Sequence, residues 1–180
     1  MYDLHSILIQ LKKEDTPLHG VMVRCVRCFY QRLDPTLWEG SALFELWEQE
    51  LELIYGDLRQ RLSPNAKTDA GSLGDRFGFD TPPELPRLLQ SIQTFYSVLI
   101  KLIAWNTLRG ATPEPPLTEL LSGRAFVNQG IRNFCGDDWY IWPLDIWDPA
   151  LETQCEELRA CLESFDTCPE GSTLSLDSLS

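Results

Sequence analysis

The chain has 180 residues, of which 43% are apolar, and its net charge is −12 from 27 acidic and 15 basic residues. This apolar fraction is enough for a hydrophobic core at this length and excludes a disordered protein. The acidic balance disfavours a protein that grips nucleic acid unaided, because contacts to phosphate need Lys and Arg.

The charge is distributed unevenly along the chain. Residues 145–180 contain nine acids and a single base, Arg159, so this region carries −8 and the rest of the chain carries −4. The more balanced region includes Arg24, Arg27 and Arg32, close together in sequence. These three arginines form a candidate patch for weak contact with DNA.

The apolar spacing predicts an all-α fold, an irregular helical bundle with an acidic C-terminal helix and tail. Helix starts are marked by a capping residue followed by proline, as at Thr16-Pro17 and Asp148-Pro149. The predicted helices, in chain order, are Tyr2–Lys13, Pro17–Leu33, Pro35–Leu62, Glu84–Arg109, Leu117–Leu121, Gly123–Gln129 and Pro149–Phe165. Residues 1–166 would form one helical domain, and residues 167–180 a tail or a severed linker.

Two of the predicted connections are rich in turn-forming residues. The segment 63–82 has three glycines, two prolines and several polar residues, which predict a flexible surface loop. The second is the proline-rich turn Thr112–Pro116.

The helix Glu84–Arg109 is the most apolar. Its first half has an amphipathic stripe, and Val98–Trp105 is apolar nearly all round, which is typical of a helix buried among others. The longest apolar run, Phe95–Trp105, is interrupted by Lys101 and is shorter than the ~20 residues of a membrane span. We therefore expect no membrane contact.

The cellular setting follows from the N-terminal segment and the cysteines. Met1–Lys13 has neither the basic start nor the small-residue cleavage site of a secretory signal. We expect a cytoplasmic protein, in which the six cysteines are reduced thiols.

No catalytic, cofactor-binding or metal site is predicted in this chain. Cys25 and Cys28 form a CxxC pair, but no second pair follows at zinc-site spacing, and a redox site needs a strand-to-helix turn. A phosphate-binding loop and a serine nucleophile elbow are both missing. The sequence also lacks the Asp/Glu-x-Lys motif of a common nuclease site and the Asn/Asp-Pro-Pro-aromatic motif of adenine methyltransferases.

Two stretches nevertheless resemble one protein family. Thr94–Ala104, read TFYSVLIKLIA, resembles the buried "T-Y-x-x-L-x-K-L-[IL]-A" helix of large bacterial adenine-specific DNA methyltransferases of restriction–modification and phage-defence systems. Gly130–Phe134 and Asp138–Trp142, read GIRNF and DWYIW, resemble the family's "G-I-x-N-F…D-[FW]-[FY]-x-W" segment. The resemblance covers residues 35–180.

The resemblance implies a non-catalytic scaffold that packs on a methyltransferase domain, in cis or in trans, and helps to line the DNA channel. S-adenosylmethionine would belong to that catalytic domain, which the chain lacks, so the chain would be a truncated piece, a split-gene product or a relic. Candidate contacts to DNA or to the partner are Arg24, Arg27, Arg32, Arg132, Asn133, Trp139 and Trp142.

Two other functions remain open from the sequence. The chain could be a free-standing helical adaptor that binds another protein, through its acidic last helix for example. It could also be a small metal or redox protein built on Cys25 and Cys28, although small apolar residues on a helix explain this pair more simply.

Overall fold

The computed structural model describes residues 4–33, 73–108, 112–135 and 141–165, together with Gln49. The described residues form helices and connecting turns, with no strand, which confirms the predicted all-α class. The helices are α1 (Leu4–Lys12), α2 (Pro17–Arg32), α3 (Leu85–Leu108), α4 (Leu117–Leu121), α5 (Arg124–Val127), the 3-10 helix Trp142–Leu144, and α6 (Pro149–Glu163).

Thr16 sets the junction between α1 and α2. Its hydroxyl oxygen accepts a hydrogen bond from the backbone N–H of His19 at 3.3 Å, which caps the start of α2. The same hydroxyl lies 2.6 Å from the carbonyl oxygen of Gln10, near the end of α1. One side chain therefore fixes both the end of α1 and the start of α2.

Helices α2 and α6 pack antiparallel, with an ion pair at each end of their contact. The Arg24 guanidinium lies 2.8 Å from the Glu157 carboxylate. Eight residues further along α2, Arg32 donates to both carboxylate oxygens of Asp148, at 3.1 and 2.9 Å through Nη2. Asp148 also accepts the N–H of Leu151 at 2.7 Å, so it caps α6 while it holds α2.

Buried thiols fill the space between these two ion pairs. Cys25 and Cys155 are each 1% exposed, and the Cys25 thiol lies 3.5 Å from the carbonyl oxygen of Gln154. Burial raises the pKa of the Cys25 thiol and raises the pKa of Cys155 to about 12. Because the thiolate is the reactive form of cysteine, Cys25 and Cys155 act as packing groups. This includes Cys25 as the first member of the CxxC pair.

The long helix α3 packs against α2, α4 and α6. Its buried residues include Leu88, Phe95, Val98, Leu102 and Trp105. It is the one helix among the described residues that is long and apolar enough to cross a membrane, and 56% of its most apolar window is buried. The expectation that Val98–Trp105 is covered on every side is wrong, because Ile100 is 54% exposed.

Some predicted elements lie outside the described residues. These are the helix Pro35–Leu62, apart from the single helical residue Gln49, and the tail 167–180. The predicted loop 63–82 is described from residue 73 onward, where residues 73–76 form a helical turn and Phe77 is buried in the core. This part of the segment therefore contributes to the core as well as to the surface.

Replacing Asp148 with Asn would test the ion pair between α2 and α6. The pKa of the Asp148 carboxyl is lowered from 3.8, first by the N–H of Leu151 and then by Arg32. A carboxyl whose folded pKa is lowered stabilises the fold fully above its unfolded pKa, and that stabilisation is lost as the pH falls through the folded pKa. We expect Asp148→Asn to weaken the pH dependence of the unfolding midpoint below pH 3.8, measured by circular dichroism in urea.

The matched control is Asp145→Asn. Asp145 is exposed, and its side chain makes no hydrogen bond or ion pair among the described residues. It should leave the pH dependence unchanged. Equal effects of the two substitutions would contradict a special role for Asp148.

Candidate functional site

A groove opens along the solvent-facing side of α3. Its floor consists of residues spaced three or four apart on the helix, namely Gln93, Tyr96, Ser97, Ile100 and Lys101, and its opposite wall is Asn133 and Phe134. The volume of this open groove is about 370 Å³. The groove is therefore built by one side of α3 and by the Asn133–Phe134 segment.

Gly123 makes possible the close backbone packing that positions the Asn133–Phe134 wall of the groove. Its φ of +79° is in the left-handed region that favours glycine, and a Cβ at this position would lie 2.3 Å from the carbonyl oxygen of Phe134. The Phe134 ring packs on Phe126, with ring centroids 4.5 Å apart. Close approach of two backbone segments thus holds Phe134 over α3.

Lys101, which interrupts the apolar run of α3, lines the groove but is only 3% exposed. Its ammonium donates to the carbonyl oxygen of Leu121 at 2.7 Å. Leu121 is the last residue of α4, where helix carbonyls lack partners and a positive charge is favourable. The lysine therefore attaches α4 to α3.

Thr94 and Trp142 join the two resembling stretches in the core. The Trp142 indole N–H donates to the hydroxyl oxygen of Thr94 at 2.9 Å, and both residues are buried. The Thr94 hydroxyl donates in turn to the carbonyl oxygen of Gln90 at 2.8 Å. The Trp142 ring also packs edge-on against Phe29, so it connects α3 to α2.

The predicted arginine patch is engaged in contacts within the chain. Arg24 and Arg32 form the ion pairs with α6 described above. The Arg27 guanidinium lies over the Phe79 ring, 5.7 Å from its centroid. DNA binding through this patch would have to compete with these contacts.

The other predicted contact residues have different environments. Arg132 and Asn133 are exposed, and Asn133 lines the groove. Trp142 departs from expectation, because its ring is 2% exposed and is used in the core. Trp139 lies outside the described residues. Tyr96, Ile100 and Phe134 were not predicted as contact residues, because their place in the groove depends on which sides of α3 the neighbouring helices cover.

A second depression, of about 640 Å³, lies beside the start of α2. Its charged lining combines Arg24 and Arg76 with Glu14 and Asp75, and buried His19 completes it on one side. The opposite charges balance, so no single ligand charge is favoured. Within the described parts of the chain, His, Cys, Asp and Glu form no cluster of three or more that suits a metal ion.

Comparison of the chain with protein-family models, with curated proteins and with solved structures finds no match.

Replacing Thr94 with Val would test the link between the two stretches. Valine has nearly the same shape but cannot accept the indole N–H of Trp142, which then stays buried without a partner. We expect the free energy of unfolding to fall by about 1–3 kcal/mol in urea denaturation. Thr107→Val is the matched control, because Thr107 makes the same bond to the carbonyl four residues earlier but is exposed. A loss in Thr94→Val no larger than in Thr107→Val would refute the link.

Replacing Gly123 with Ala would test the close approach that forms the wall. Gly130→Ala is the matched control, because Gly130 has a φ of +80° but nothing within 4 Å of an added Cβ. We expect left-handed strain of roughly 1–2 kcal/mol in both variants. The free energy of unfolding should fall further in Gly123→Ala than in Gly130→Ala, because the Phe134 backbone must also move. Equal decreases in the free energy of unfolding, measured in urea, would show that Gly123 and the Phe134 backbone are not in tight contact.

Proposed function

We propose that this chain is a non-catalytic helical scaffold of an adenine-specific DNA methyltransferase system. It packs on the methyltransferase domain, as part of the same protein or as a separate chain, and helps to line the DNA channel. The cofactor S-adenosylmethionine binds the catalytic domain and not this chain. The proposal places the protein in the cytoplasm, with restriction–modification or phage defence as its setting.

The observation that supports this proposal most is the joining of the two resembling stretches into one packed unit. They are separate in sequence, yet the Trp142 indole N–H donates to Thr94, and Phe134 lines the same groove as Tyr96 and Ile100. Residue patterns that belong to one family are expected to form one structural unit if the resemblance is real. This arrangement agrees with that expectation.

The polar residues of these stretches support a structural role over a catalytic one. Lys101 and Thr94 point their polar atoms at a backbone carbonyl and an indole, and both are buried. A catalytic group needs access to substrate and a partner that tunes its proton affinity. These two side chains instead hold helices together.

The charges support only weak contact with DNA by the chain alone. The net charge is −12, and Arg24 and Arg32 are already paired with carboxylates. Arg132 is exposed beside the groove and is the better candidate for a contact with DNA or with the partner. Any DNA channel would need the positive charge of the methyltransferase domain.

A free-standing adaptor is the second candidate function. It is favoured by the exposed apolar residues of α3, which would bind a partner of any function. The two candidates differ in the partner. The scaffold requires a methyltransferase domain, and a reading frame with an Asn-Pro-Pro-Tyr-type motif directly downstream of the gene would identify it.

Methyl transfer to adenine in DNA would test the proposal. The purified chain, a domain with an Asn-Pro-Pro-Tyr-type motif encoded directly downstream of the gene, and an equimolar mixture of the two would be assayed with radiolabelled S-adenosylmethionine. We expect no transfer by the chain alone and more transfer by the mixture than by the domain. An unrelated acidic helical protein is the control addition. Methylation by the chain alone, or no effect of adding it, would refute the scaffold.

A further inference from the structure

We infer that the groove on α3 binds one nucleotide, with the base against the rings of Tyr96 and Phe134 and the phosphate beside Arg132. A free nucleotide and an unstacked nucleotide of a single strand present the same base and phosphate, so both are ligands of this class. The inference goes beyond the proposed function, which gives the chain no small-molecule site. It rests on the rings, the polar groups, the local charge and the size of the groove.

Two aromatic rings line the groove from opposite sides. Tyr96 is 42% exposed on α3, and the half-buried Phe134 belongs to the facing wall. The Tyr96 ring packs edge-on against Phe95, with ring centroids 5.5 Å apart. The Phe134 ring is held by Phe126. Aromatic rings fixed at a surface are stacking platforms for nucleobases, because every base has a π-face.

Polar groups without a protein partner border the same groove. Ser97 and Asn133 line it, and neither side chain makes a hydrogen bond within the part of the chain that the structure describes. An amide has a donor and an acceptor side by side, which match the adjacent acceptor and donor on the edge of a base such as adenine. The groove therefore suits a flat ligand with polar edges, and a purely apolar side chain would leave these groups unpaired.

The charge at the groove is positive. Lys101 lines it, Arg132 directly precedes Asn133 of the wall, and no carboxylate is among the lining residues. Arg132 is exposed and makes no ion pair with any described residue. Charges separated by more than about 8 Å are largely screened at physiological salt, so these two cations outweigh the net charge of the chain at this place. An anionic ligand is favoured, and the free Arg132 guanidinium is the group that binds its phosphate.

The size of the groove matches a single nucleotide. Its volume of about 370 Å³ is near the lower end of the roughly 300–1,000 Å³ that small-molecule sites span. A stable protein interface uses about 20–30 residues on each side, whereas this groove is lined by two short segments. A long run of phosphates would meet the acidic remainder of the chain. One base with its phosphate therefore fits better than a protein surface or an extended strand.

Titration of the full chain with adenosine monophosphate (AMP) by calorimetry would test the site. Adenosine, which lacks the phosphate, and ribose phosphate, which lacks the base, are matched control ligands. We expect AMP to bind, and each control ligand to bind about ten-fold more weakly or worse. Ribose phosphate binding as tightly as AMP would overturn the base contact, and adenosine doing so would overturn the phosphate contact. No binding of AMP at millimolar concentration would overturn the whole inference.

Substitution of exposed groove residues would locate the ligand. Asn133→Asp replaces an amide with a carboxylate that repels the phosphate, and we expect AMP binding to weaken about ten-fold or more. The matched control is Asn128→Asp, because Asn128 is exposed and lies outside the groove. It should leave binding within about two-fold. Circular dichroism melts would verify that both variants fold.

Tyr96→Leu removes the aromatic face but keeps an apolar side chain. We expect AMP binding to weaken about five-fold or more, the low end of what a stacked ring contributes. Unchanged AMP binding in both Tyr96→Leu and Asn133→Asp would place the nucleotide elsewhere and overturn the groove assignment. Light scattering that shows a dimer lost in Tyr96→Leu would replace the nucleotide with a second copy of the chain.

A short single-stranded oligodeoxyadenylate would distinguish the two sources of the ligand. Binding about ten-fold tighter than that of AMP, and weakened by Asn133→Asp, would support a nucleotide within a strand. Binding no tighter than that of AMP would support a free nucleotide, because only one unit then enters the groove. Oligonucleotide binding that Asn133→Asp leaves unchanged would count against the groove.

Discussion

The described structure depends on how α3 is covered. This 24-residue helix is apolar over most of its circumference, and the largest buried side chains of the molecule include its Phe95, Leu88 and Leu102. Helices α2 and α4 bury one part of it, and the Asn133–Phe134 wall partly covers another. Helices α2, α4 and α6 therefore contribute to the fold through direct contact with α3, whereas α1 packs on α2 and α5 packs on α4.

Buried polar groups determine how the neighbours sit on this helix. Apolar packing alone is non-directional, and it would allow α4 and the 3-10 helix several positions along α3. The Lys101–Leu121 hydrogen bond allows a single position of α4 along α3, and the Thr94–Trp142 hydrogen bond allows a single position of the 3-10 helix. Breaking either bond would leave a polar group buried without a partner. The side chains of Lys101 and Thr94 therefore specify the positions of α4 and of the 3-10 helix along α3.

Local features of the fold were predictable, and long-range ones were not. The starts of α2 and α6 were predicted correctly from Thr16-Pro17 and Asp148-Pro149, because a cap acts within one turn of its helix. The bounds of α4 were also predicted correctly. The groove was missed, since composition shows that α3 is apolar but cannot show which neighbours cover Ile100. The Thr94–Trp142 bond spans 48 residues, a separation at which sequence spacing carries no information about distance.

The antiparallel contact of α2 and α6 restricts the lengths of both helices. Its three fixed points, Arg24 with Glu157, Cys25 with Gln154, and Arg32 with Asp148, follow one continuous register. Inserting a single residue between Arg24 and Arg32 would rotate the rest of α2 by about 100° and advance it by ~1.5 Å. The ion pairs Arg24–Glu157 and Arg32–Asp148 could then no longer form at the same time. Substitution on this interface is thus easier to accommodate than any change in the number of residues.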